Sequence, residues 1–375
     1  MNPKHILLIG PVPPPYGGMA LQTQALAEML RADGHSALPF PSNFELPRGL
    51  HWLERIPAVR TAVRAALIWP LLWRQMGSTD VVHVLACSWL YFFLTVFPAV
   101  TVARIRGKRV VLNYRGGEAR EFFRRWGWLA APVLKAAHVI TAPSGFLSEV
   151  IQSCFGIPVM IVPNVLDRAL FQYRARAEFR PRLLSARHLE KIYDLETILK
   201  AFRAVQDRYP DASLWIAGTG SEEERLRSLT SEWNLNNVRY LGSTSQQDLA
   251  SIYDECDIFI NASRVDNFPN ALLEASSAGL VIVSSNAGGI PFIYQHEKTA
   301  LLVEPGDSEG LAKAVEKLVQ SPVFAARMAV DAAALVRSCD WIEVSRMLYR
   351  AYGFSPPGRR DQRDDELRES RCIAG

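Results

Sequence analysis

Residues 257–285 read DIFINASRVDNFPNALLEASSAGLVIVSS, and they contain the clearest structural pattern in the chain. The stretch begins and ends with short apolar runs, 257–262 and 281–285, that are typical of buried strands. Between them, 269–278 has the proline start and the apolar spacing of a helix. A strand, a helix and a second strand in this order predict two parallel strands joined by a crossover helix.

The same alternation continues on both sides of this unit. In the first half it predicts a helix at 19–31 and strands at 5–9, 80–85, 109–113, 138–142 and 159–162. In the second half it predicts strands at 182–186, 212–217, 238–241 and 300–303, and helices at 245–255 and 308–320. Two further helices are predicted there, one capped by Asp194 and one opened by the capping box Ser221–Glu224.

The length and the rhythm of the chain predict two domains. The chain has 375 residues, and the arginine-rich segment 164–181 interrupts the alternation near its middle. We therefore expect an α/β protein with two Rossmann-like, doubly wound domains facing an interdomain cleft. The predicted parts are an N-terminal domain at 1–170, a C-terminal domain at 171–340, a helix at 341–354 that packs back towards the N-terminal domain, and a disordered tail at 355–375.

Composition argues against several classes of function. The net charge is only +4, which does not predict a nucleic-acid-binding protein. Five scattered cysteines without CxxC pairs predict reduced thiols and a cytoplasmic location, with neither a disulfide framework nor a zinc site. The N-terminus lacks the apolar run of a signal peptide, and the apolar stretch 89–103 is short for a membrane span, so a buried helix is expected there.

The loop and helix at 263–275 predict an anion site. Pro269 suits the first helical position, which leaves the amides of Asn270, Ala271 and Leu272 free to bind a diphosphate. Asp266 lies before this helix and Glu274 within it, so both carboxylates can accept hydrogen bonds from sugar hydroxyls in one cleft. An alternative is that Asp266 only caps the helix and Glu274 lies on a solvated face.

The first strand leads to a second candidate anion site at Gly17–Gly18, directly before a helix. Paired glycines let backbone amides approach an anion closely, and the helix dipole favours negative charge there. The spacing differs from GxGxxG, which argues against ordinary dinucleotide binding. The alternative is a tight turn without a ligand.

These motifs together resemble a known family. The run 257–307 looks like the donor-binding core of the retaining family-4 glycosyltransferases, which have the GT-B fold. Their acidic pair is Glu-x7-Glu; here it reads Asp266-x7-Glu274, followed by the sequence GGIP at 288–291. The sequence PN at 163–164 resembles the family's interdomain signature, the sequence AGTG at 217–220 its nucleotide-side loop, and Gly17–Gly18 its N-terminal glycine pair.

The resemblance implies a role for each motif. Glu274 would bind the donor ribose, and Asp266 would hold the transferred sugar. Gly18, Arg187 and the amides near Asn270 would neutralise the diphosphate, and Gly218 would belong to the donor site. Preorganised donors aimed at the departing phosphate would lower the barrier. The family is thought to retain configuration by same-face attack, so neither a metal ion, nor a cofactor, nor an enzymatic nucleophile is expected.

Three positions depart from the family pattern. Asp266 replaces the usual glutamate and shortens the side chain by one bond. Ile192–Tyr193 occupies the usual Lys-Gly, so Lys191 is one position early and is either a phosphate ligand or a solvated lysine. Arg115 stands where a histidine is common; it would bind charge or sugar hydroxyls, or else form a loop salt bridge with Glu118.

The sequence therefore predicts a retaining glycosyltransferase that moves a hexose-type sugar from a UDP- or GDP-sugar to a saccharide or lipid-linked acceptor. Cell-surface polysaccharide or glycolipid assembly is the expected setting. Alternatives are a GT-B nucleotide-sugar epimerase and an inactive nucleotide-sugar-binding scaffold. The basic, tryptophan-containing stretch 52–73 predicts peripheral membrane contact, for which Arg60 and Arg64 are the charges to test, or else a helix docked on the N-terminal sheet.

Overall fold

The computed structural model describes residues 3–14 and 17–354, so the predicted tail at 355–375 lies outside the described residues. Within the described part, no single helix has both the length and the apolar character to cross a membrane. One bent pair of helical segments, Ser308–Gln320 and Pro322–Tyr352, meets those criteria only when the two are taken together.

The N-terminal domain is a six-stranded parallel sheet with the strand order β2-β1-β3-β4-β5-β6. Its strands are β1 (His5–Gly10), β2 (Ser36–Pro41), β3 (Val81–Ala86), β4 (Arg109–Tyr114), β5 (Val139–Ala142) and β6 (Val159–Ile161). Its helices are α1 (Gly18–Ala32), α2 (Pro57–Gln75), α3 (Trp89–Tyr91), α4 (Phe97–Ile105), α5 (Ala119–Ala136) and α6 (Gly145–Phe155). A 3-10 segment, Arg48–Arg55, precedes α2, and a π-helical turn, Phe92–Val96, joins α3 to α4.

The C-terminal domain repeats this architecture with the strand order β12-β11-β10-β7-β8-β9. Its strands are β7 (Arg182–Ala186), β8 (Ser213–Ala217), β9 (Val238–Gly242), β10 (Ile258–Asn261), β11 (Val281–Ser285) and β12 (Leu301–Val303). Its helices are α7 (Leu195–Arg208), α8 (Glu223–Glu232), α9 (Gln246–Glu255), α10 (Asn270–Ser277), α11 (Ser308–Gln320) and α12 (Pro322–Leu335), and α13 (Trp341–Tyr352) follows them. The prediction of two parallel α/β domains is confirmed.

Each face of the N-terminal sheet has its own apolar core. Leu7, Ile9 and neighbouring strand residues pack under α2, α4, α5 and α6, and the alternate residues Ile6 and Leu8 pack under α1. Side chains point to opposite faces along a strand, so continuously apolar strands are needed when both faces are covered. The predicted buried helix at 89–103 contributes Phe92, Val96 and Ala99 to the first core.

The helix α13 lies on the N-terminal domain, in the same core as α1. Val344 and Leu348 pack with Ile6 and Leu8, and Tyr352 donates or accepts a 2.9 Å hydrogen bond with His83 Nδ1. Burial lowers the pKa of His83 to about 3, so this histidine is a neutral core residue. The chain thus crosses between the domains twice.

The two crossings lie side by side and bind each other. Leu166 donates its amide to the Cys339 carbonyl at 3.0 Å, and Arg168 pairs with Asp340 at 2.7 Å. The first crossing falls within the predicted linker 164–181, and β7 begins directly after it. These contacts fix how the carboxyl ends of the two sheets approach each other.

Both predicted helix caps are wrong in detail. Asp194 precedes α7, but its side chain pairs with Arg264 at 2.8 Å instead of capping the helix. Ser221 donates to Glu190 at 2.6 Å, and α8 begins two residues later without a side-chain cap. Long-range partners therefore outcompete the local hydrogen bonds that the sequence pattern favours.

Candidate active site

Arg187 and Asp266 meet at the carboxyl edge of the C-terminal sheet. Arg187 directly follows β7 and Asp266 lies in the loop after β10, and these strands are neighbours in the sheet. The guanidinium Nη2 bonds Asp266 Oδ2, and the two side chains are only 11% and 10% exposed. Ligands of open parallel sheets bind outside the carboxyl ends of the strands, so this ion pair lies where such a site is expected.

Arg187 retains unused hydrogen-bond donors. Its guanidinium lies 4.4 Å from the centre of the Tyr193 ring, which holds its plane by a cation–π contact. Nη2 also contacts Ser263 Oγ at 3.4 Å, whereas Nε is buried and has no partner among the described residues. A buried N–H without an acceptor is costly unless a ligand completes it.

Gly218 holds the backbone beneath Arg187. Its φ of +134° is a conformation that L side chains rarely adopt, and a Cβ there would meet the Arg187 carbonyl oxygen at 2.0 Å. The chain on either side is fixed by two hydrogen bonds, from the Arg187 amide to Ala217 and from the Gly218 amide to the Gly242 carbonyl. Gly218 therefore positions Arg187 by close backbone packing.

We predict that Gly218→Ala lowers the free energy of unfolding by about 2–4 kcal/mol, because strain and overlap with the Arg187 carbonyl act together. Gly242 is the matched control, since it also has positive φ but a Cβ there would meet nothing within 4 Å. Gly242→Ala is expected to cost only about 1 kcal/mol. Urea denaturation measures both, and equal losses would contradict this role of Gly218.

A second glycine pair holds the loop that carries Asp266. A Cβ on Gly288 would meet the Asp266 carbonyl oxygen at 2.3 Å, and one on Gly289 the Asn267 carbonyl oxygen at 2.1 Å. The Gly289 amide donates to the Asp266 backbone carbonyl at 2.6 Å. The two loops therefore pack backbone to backbone, which explains the Gly-Gly sequence.

The start of α10 presents two free amides, one fewer than expected. The helix begins at Asn270, and Pro269 is its cap residue rather than its first residue. The amide of Leu272 donates to the Pro269 carbonyl at 3.1 Å, in a tight first turn of the 3-10 type. The prediction that the Leu272 amide is free is therefore wrong. Among the described residues, the amides of Asn270 and Ala271 have no acceptor within hydrogen-bond distance.

Glu274 lies one turn into α10 with Tyr253 beside it. The Tyr253 hydroxyl donates to Glu274 Oε2 at 3.1 Å and contacts the Ala271 carbonyl at 3.2 Å. Burial raises the pKa of Glu274 to about 7, and the hydrogen bond from Tyr253 and the charge of Arg187 oppose this rise only in part. Asp266 pairs with Arg187 and caps no helix, so the alternative of a simple helix cap does not hold.

On the N-terminal side, Gly17 and Gly18 begin α1 at the carboxyl end of β1. Gly17 provides no side-chain cap, and a Cβ on either glycine would meet nothing within 4 Å. Packing against the described residues therefore does not require glycine at these positions. One turn later, Gln22 exchanges two hydrogen bonds with the backbone of Val165, which places this helix start next to the crossing between the domains.

Arg115 joins the two domains at the same place. It bonds Asn113 Oδ1 at 3.1 Å and the Oδ1 of the buried Asn164, whose amide in turn donates to Asn270 Oδ1 at 2.6 Å. Burial lowers the pKa of Arg115 to about 10, so it stays charged at neutral pH. Asn267 donates to its carbonyl oxygen at 3.0 Å.

The alternative of a salt bridge between Arg115 and Glu118 is wrong. Glu118 accepts a 2.6 Å hydrogen bond from Trp89 Nε1, and no carboxylate of the described residues lies within 4 Å of the Arg115 guanidinium. The structure therefore holds a partly buried cation with only neutral partners beside Asn267 and Asn270.

Lys191 makes no hydrogen bond or ion pair with these residues in the described part of the chain. It begins an exposed 3-10 turn, Lys191–Tyr193, and its ammonium group makes no hydrogen bond or ion pair within the described chain. It lines a cavity of about 580 Å³ together with Glu190, Asp194, Leu195, Glu196, Glu222, Arg225, Leu226 and Arg264. The structure thus brings together Arg187, Asp266, Asn270, Ala271 and Glu274, and a role for Lys191 as a phosphate ligand stays a prediction.

Sequence reasoning missed Tyr253 and Asn267 as parts of this site. Tyr253 is on α9, and only the tertiary packing of α9 against α10 brings it to Glu274. Asn267 was within the motif at 263–275, but its contact with Arg115 joins residues that are 152 positions apart. No local pattern in the sequence indicates either contact.

Comparisons with known proteins give a consistent family. The model of the glycosyl transferases group 1 matches residues 168–334, which contain every C-terminal site residue described above. A glycogen synthase of Mycobacterium tuberculosis is 26% identical over 302 residues, which cover 75% of this chain and 70% of the relative. A GDP-mannose-dependent alpha-(1-6)-phosphatidylinositol monomannoside mannosyltransferase of the same species is 26% identical over 246 residues, covering 58% and 62%.

Solved structures show the same fold over nearly the whole chain. HepE of Anabaena, determined in complex with UDP, superposes with a TM-score of 0.72 at 15% identity and covers 93% of this chain and 99% of its own. Sucrose-phosphate synthase of Thermosynechococcus elongatus gives a TM-score of 0.71 at 17% identity, covering 93% and 98%. The chain has the GT-B fold, and its residues 168–334 match the model of the glycosyl transferases group 1.

Proposed function

We propose that this chain is a retaining glycosyltransferase that moves a hexose-type sugar from a UDP- or GDP-sugar to an acceptor hydroxyl. The observation that carries the proposal is the juxtaposition of Arg187, Asp266, Glu274 and two free helix amides in one loop cluster. The relatives and structural neighbours support the donor class, since one relative is a GDP-mannose-dependent mannosyltransferase and HepE was solved with UDP and with UDP-glucose.

Each group has a physical role in this proposal. The Nε of Arg187 and the amides of Asn270 and Ala271 bind the diphosphate, whose negative charge grows as the anomeric bond breaks. Glu274 accepts hydrogen bonds from the ribose, and Asp266 accepts them from the transferred sugar. Gly17 and Gly18 let the start of α1 approach the diphosphate from the other domain.

The proposed reaction needs no enzymatic nucleophile and no cofactor. The bond between the anomeric carbon and the diphosphate oxygen breaks, and the acceptor oxygen forms its bond on the same face of the sugar. The departing phosphate takes the acceptor proton. Arg115 supplies positive charge beside Asn267 and Asn270, with neutral partners that leave this charge for the substrates. Metal independence belongs to this proposal, because arginine and helix amides do the electrostatic work.

The pathway and the location are also proposals. A saccharide or lipid-linked acceptor in cell-surface polysaccharide or glycolipid assembly fits the relatives, which include a lipopolysaccharide core glycosyltransferase of Rhizobium meliloti. A cytoplasmic location fits the cysteines, of which Cys87, Cys154, Cys256 and Cys339 are free thiols.

We predict that donor affinity rises with pH as Glu274 ionises. Its pKa is about 7 in the free chain, and ribose hydroxyls bind the carboxylate, so donor binding lowers this pKa and releases a proton. Affinity should therefore fall as the pH drops below 7 and level off above it, with binding roughly tenfold tighter at about pH 8 than at about pH 6.

Titration calorimetry with a nucleotide sugar checks this, because its diphosphate does not titrate in this range. Buffers with different ionisation enthalpies report the released proton directly. Glu274→Gln should bind about as weakly at every pH as the wild type does well below pH 7, and should lose the pH dependence. A pH profile that is the same in the wild type and in Glu274→Gln would contradict this role of Glu274.

A donor panel tests the proposed function as a whole. UDP- and GDP-hexoses are incubated with saccharide and lipid-linked acceptors, with and without EDTA, and the product anomer is assigned by NMR. The proposal predicts a product with the anomeric configuration of the donor and equal rates with EDTA. Epimerised donor without an acceptor would indicate an epimerase, and donor binding without turnover on any acceptor would indicate an inactive scaffold; either result would overturn the proposal.

A further inference from the structure

Exposed tryptophans concentrate on one side of the N-terminal domain. The chain has nine tryptophans, and the five that are exposed all lie in α2, in α5 or directly before α2. They are Trp52 (64% exposed), Trp69, Trp73, Trp126 and Trp128 (74% exposed). Large aromatic side chains are normally mostly buried, so a cluster of exposed ones indicates a surface that another body covers.

The composition of α2 also indicates a surface that another body covers. Its 19 residues read PAVRTAVRAALIWPLLWRQ, and 14 of them are apolar. Only Ile68 and Leu72 are fully buried in the domain. A helix that merely covers a sheet shows a polar face to water, whereas here apolar side chains lie on both faces.

Neighbouring helices extend this surface. The ring of Trp69 packs edge to face on Phe97 of α4 at 5.9 Å, and Arg106 lies 4.7 Å from the Trp73 ring. Trp126 of α5 packs on Phe93 at 6.0 Å. We call this surface the aromatic face, which comprises Trp52, Trp69, Trp73, Phe97, Trp126 and Trp128.

The helices that carry the aromatic face are strongly basic. The helices α2, α4 and α5 contain eight basic residues and one acidic residue, against 34 basic and 37 acidic residues in the rest of the chain. Arg60 and Arg64 lie 3.9 and 3.0 Å from Glu54 and share this one carboxylate, which offsets one of their two charges. Arg74 and Arg125 are exposed and have no carboxylate within 4 Å among the described residues.

The aromatic face begins at the entrance of the site. Helices of a parallel α/β sheet run opposite to the strands, so α2, α4 and α5 begin at the carboxyl edge, where Gly18 and Arg115 lie. Trp52 stands directly before α2 at this edge. A body that covers the aromatic face therefore lies next to the mouth of the cleft.

Tryptophan and arginine together match a membrane surface better than a second copy of the chain. Tryptophan rings prefer the level of the lipid headgroups, and anionic lipids attract arginine. In a two-fold dimer the same patch faces itself, so the basic residues would repel one another. The cores of protein interfaces are also depleted in charge.

We propose that the aromatic face docks the protein on a bilayer that contains anionic lipids. Trp52, Trp73 and Trp128 enter the headgroup layer, and Arg74 and Arg125 bind lipid phosphates. The proposal stands on this surface alone and does not depend on which reaction the cleft performs. A membrane contact was expected at 52–73, with Arg60 and Arg64 as its charges. In this proposal the charges that bind the membrane are instead Arg74 of α2 and Arg125 of α5.

Vesicle partitioning tests the charges. The full chain should sediment with phosphatidylcholine vesicles that contain phosphatidylglycerol, bind pure phosphatidylcholine weakly, and dissociate at high salt. Arg74→Glu with Arg125→Glu should weaken partitioning by about tenfold or more. The matched control, Arg203→Glu with Arg327→Glu, changes the net charge equally on exposed helix positions of the C-terminal domain and should have little effect.

The tryptophans are tested in the same assay. Trp52→Ser with Trp128→Ser should reduce partitioning at least as much, whereas Val323→Ser with Ile342→Ser, at exposed apolar positions elsewhere, should not. In the wild type, brominated lipids should quench tryptophan emission, which needs no variant to fold. Equal binding by all variants, absence of quenching, or a stable dimer in sedimentation that is lost on Trp52→Ser with Trp128→Ser would overturn the proposal.

Discussion

Arg187→Ala is expected to lower kcat/KM by about 10³-fold, the largest effect of any single substitution in the site. The guanidinium is held by Tyr193, Asp266 and the backbone above Gly218, and its Nε has no acceptor among the residues that the structure describes. If this donor binds the departing phosphate, the loss should appear mainly in kcat, because negative charge grows in the transition state. Steady-state kinetics on the donor and acceptor found by the panel measure it.

The controls for this prediction separate catalysis from folding. Arg187→Ala leaves Asp266 partly buried without its cation, so thermal unfolding must be measured alongside the kinetics. Arg187→Lys keeps the charge but lacks the planar guanidinium, and we expect its kcat/KM to lie between those of the alanine variant and the wild type. Arg264→Ala removes an exposed arginine two positions before Asp266 and should change kcat/KM by less than about threefold. A folded Arg187→Ala enzyme within tenfold of the wild type would contradict the assignment.

Gly18→Val is expected to reduce kcat/KM by about 10²-fold without a loss of stability. Among the described residues, no atom outside the adjacent residues and the backbone of α1 itself lies within 4 Å of a Cβ at this position, so the larger side chain fits the free chain. It would instead occupy the space in which a phosphate approaches the amides at the start of α1. This prediction separates an anion site from a tight turn without a ligand.

Gly49→Val is the matched control, because a Cβ on Gly49 also meets no atom within 4 Å and Gly49 belongs to the segment before α2. Donor affinity by calorimetry and turnover should be nearly unchanged in this variant. Wild-type kinetics in Gly18→Val would show that the glycine pair has no ligand.

The alternation of apolar runs and helical spacing was enough to predict both domains. The predicted ends of most strands lie within two residues of the observed ends, because buried parallel strands are continuous apolar runs in the sequence. The strand β2 (Ser36–Pro41) was missed, since its two prolines and alternating exposure resemble a loop. The helices α5, α6 and α12 were also missed; α12 in particular is rich in alanine and shows weak contrast between its faces.

The part of the site that lies within one short stretch of the chain was predictable from the sequence. The motif at 263–275 placed Asp266, Asn270 and Glu274 near one helix start, as the structure has them. The ion pair between Arg187 and Asp266 was not predictable, because it joins loops 79 positions apart. The use of the Leu272 amide by Pro269 depends on whether the first turn is α or 3-10, which the sequence does not determine.

A crystal structure of the chain grown with UDP or GDP, whichever calorimetry finds to bind more tightly, tests the central claim most directly. We predict diphosphate oxygens within about 3 Å of the Arg187 guanidinium and of the Asn270 and Ala271 amides. The ribose hydroxyls should bond Glu274. A nucleotide bound elsewhere, for example in the cavity lined by Lys191 and Arg225, or with its diphosphate away from Arg187, would contradict the account.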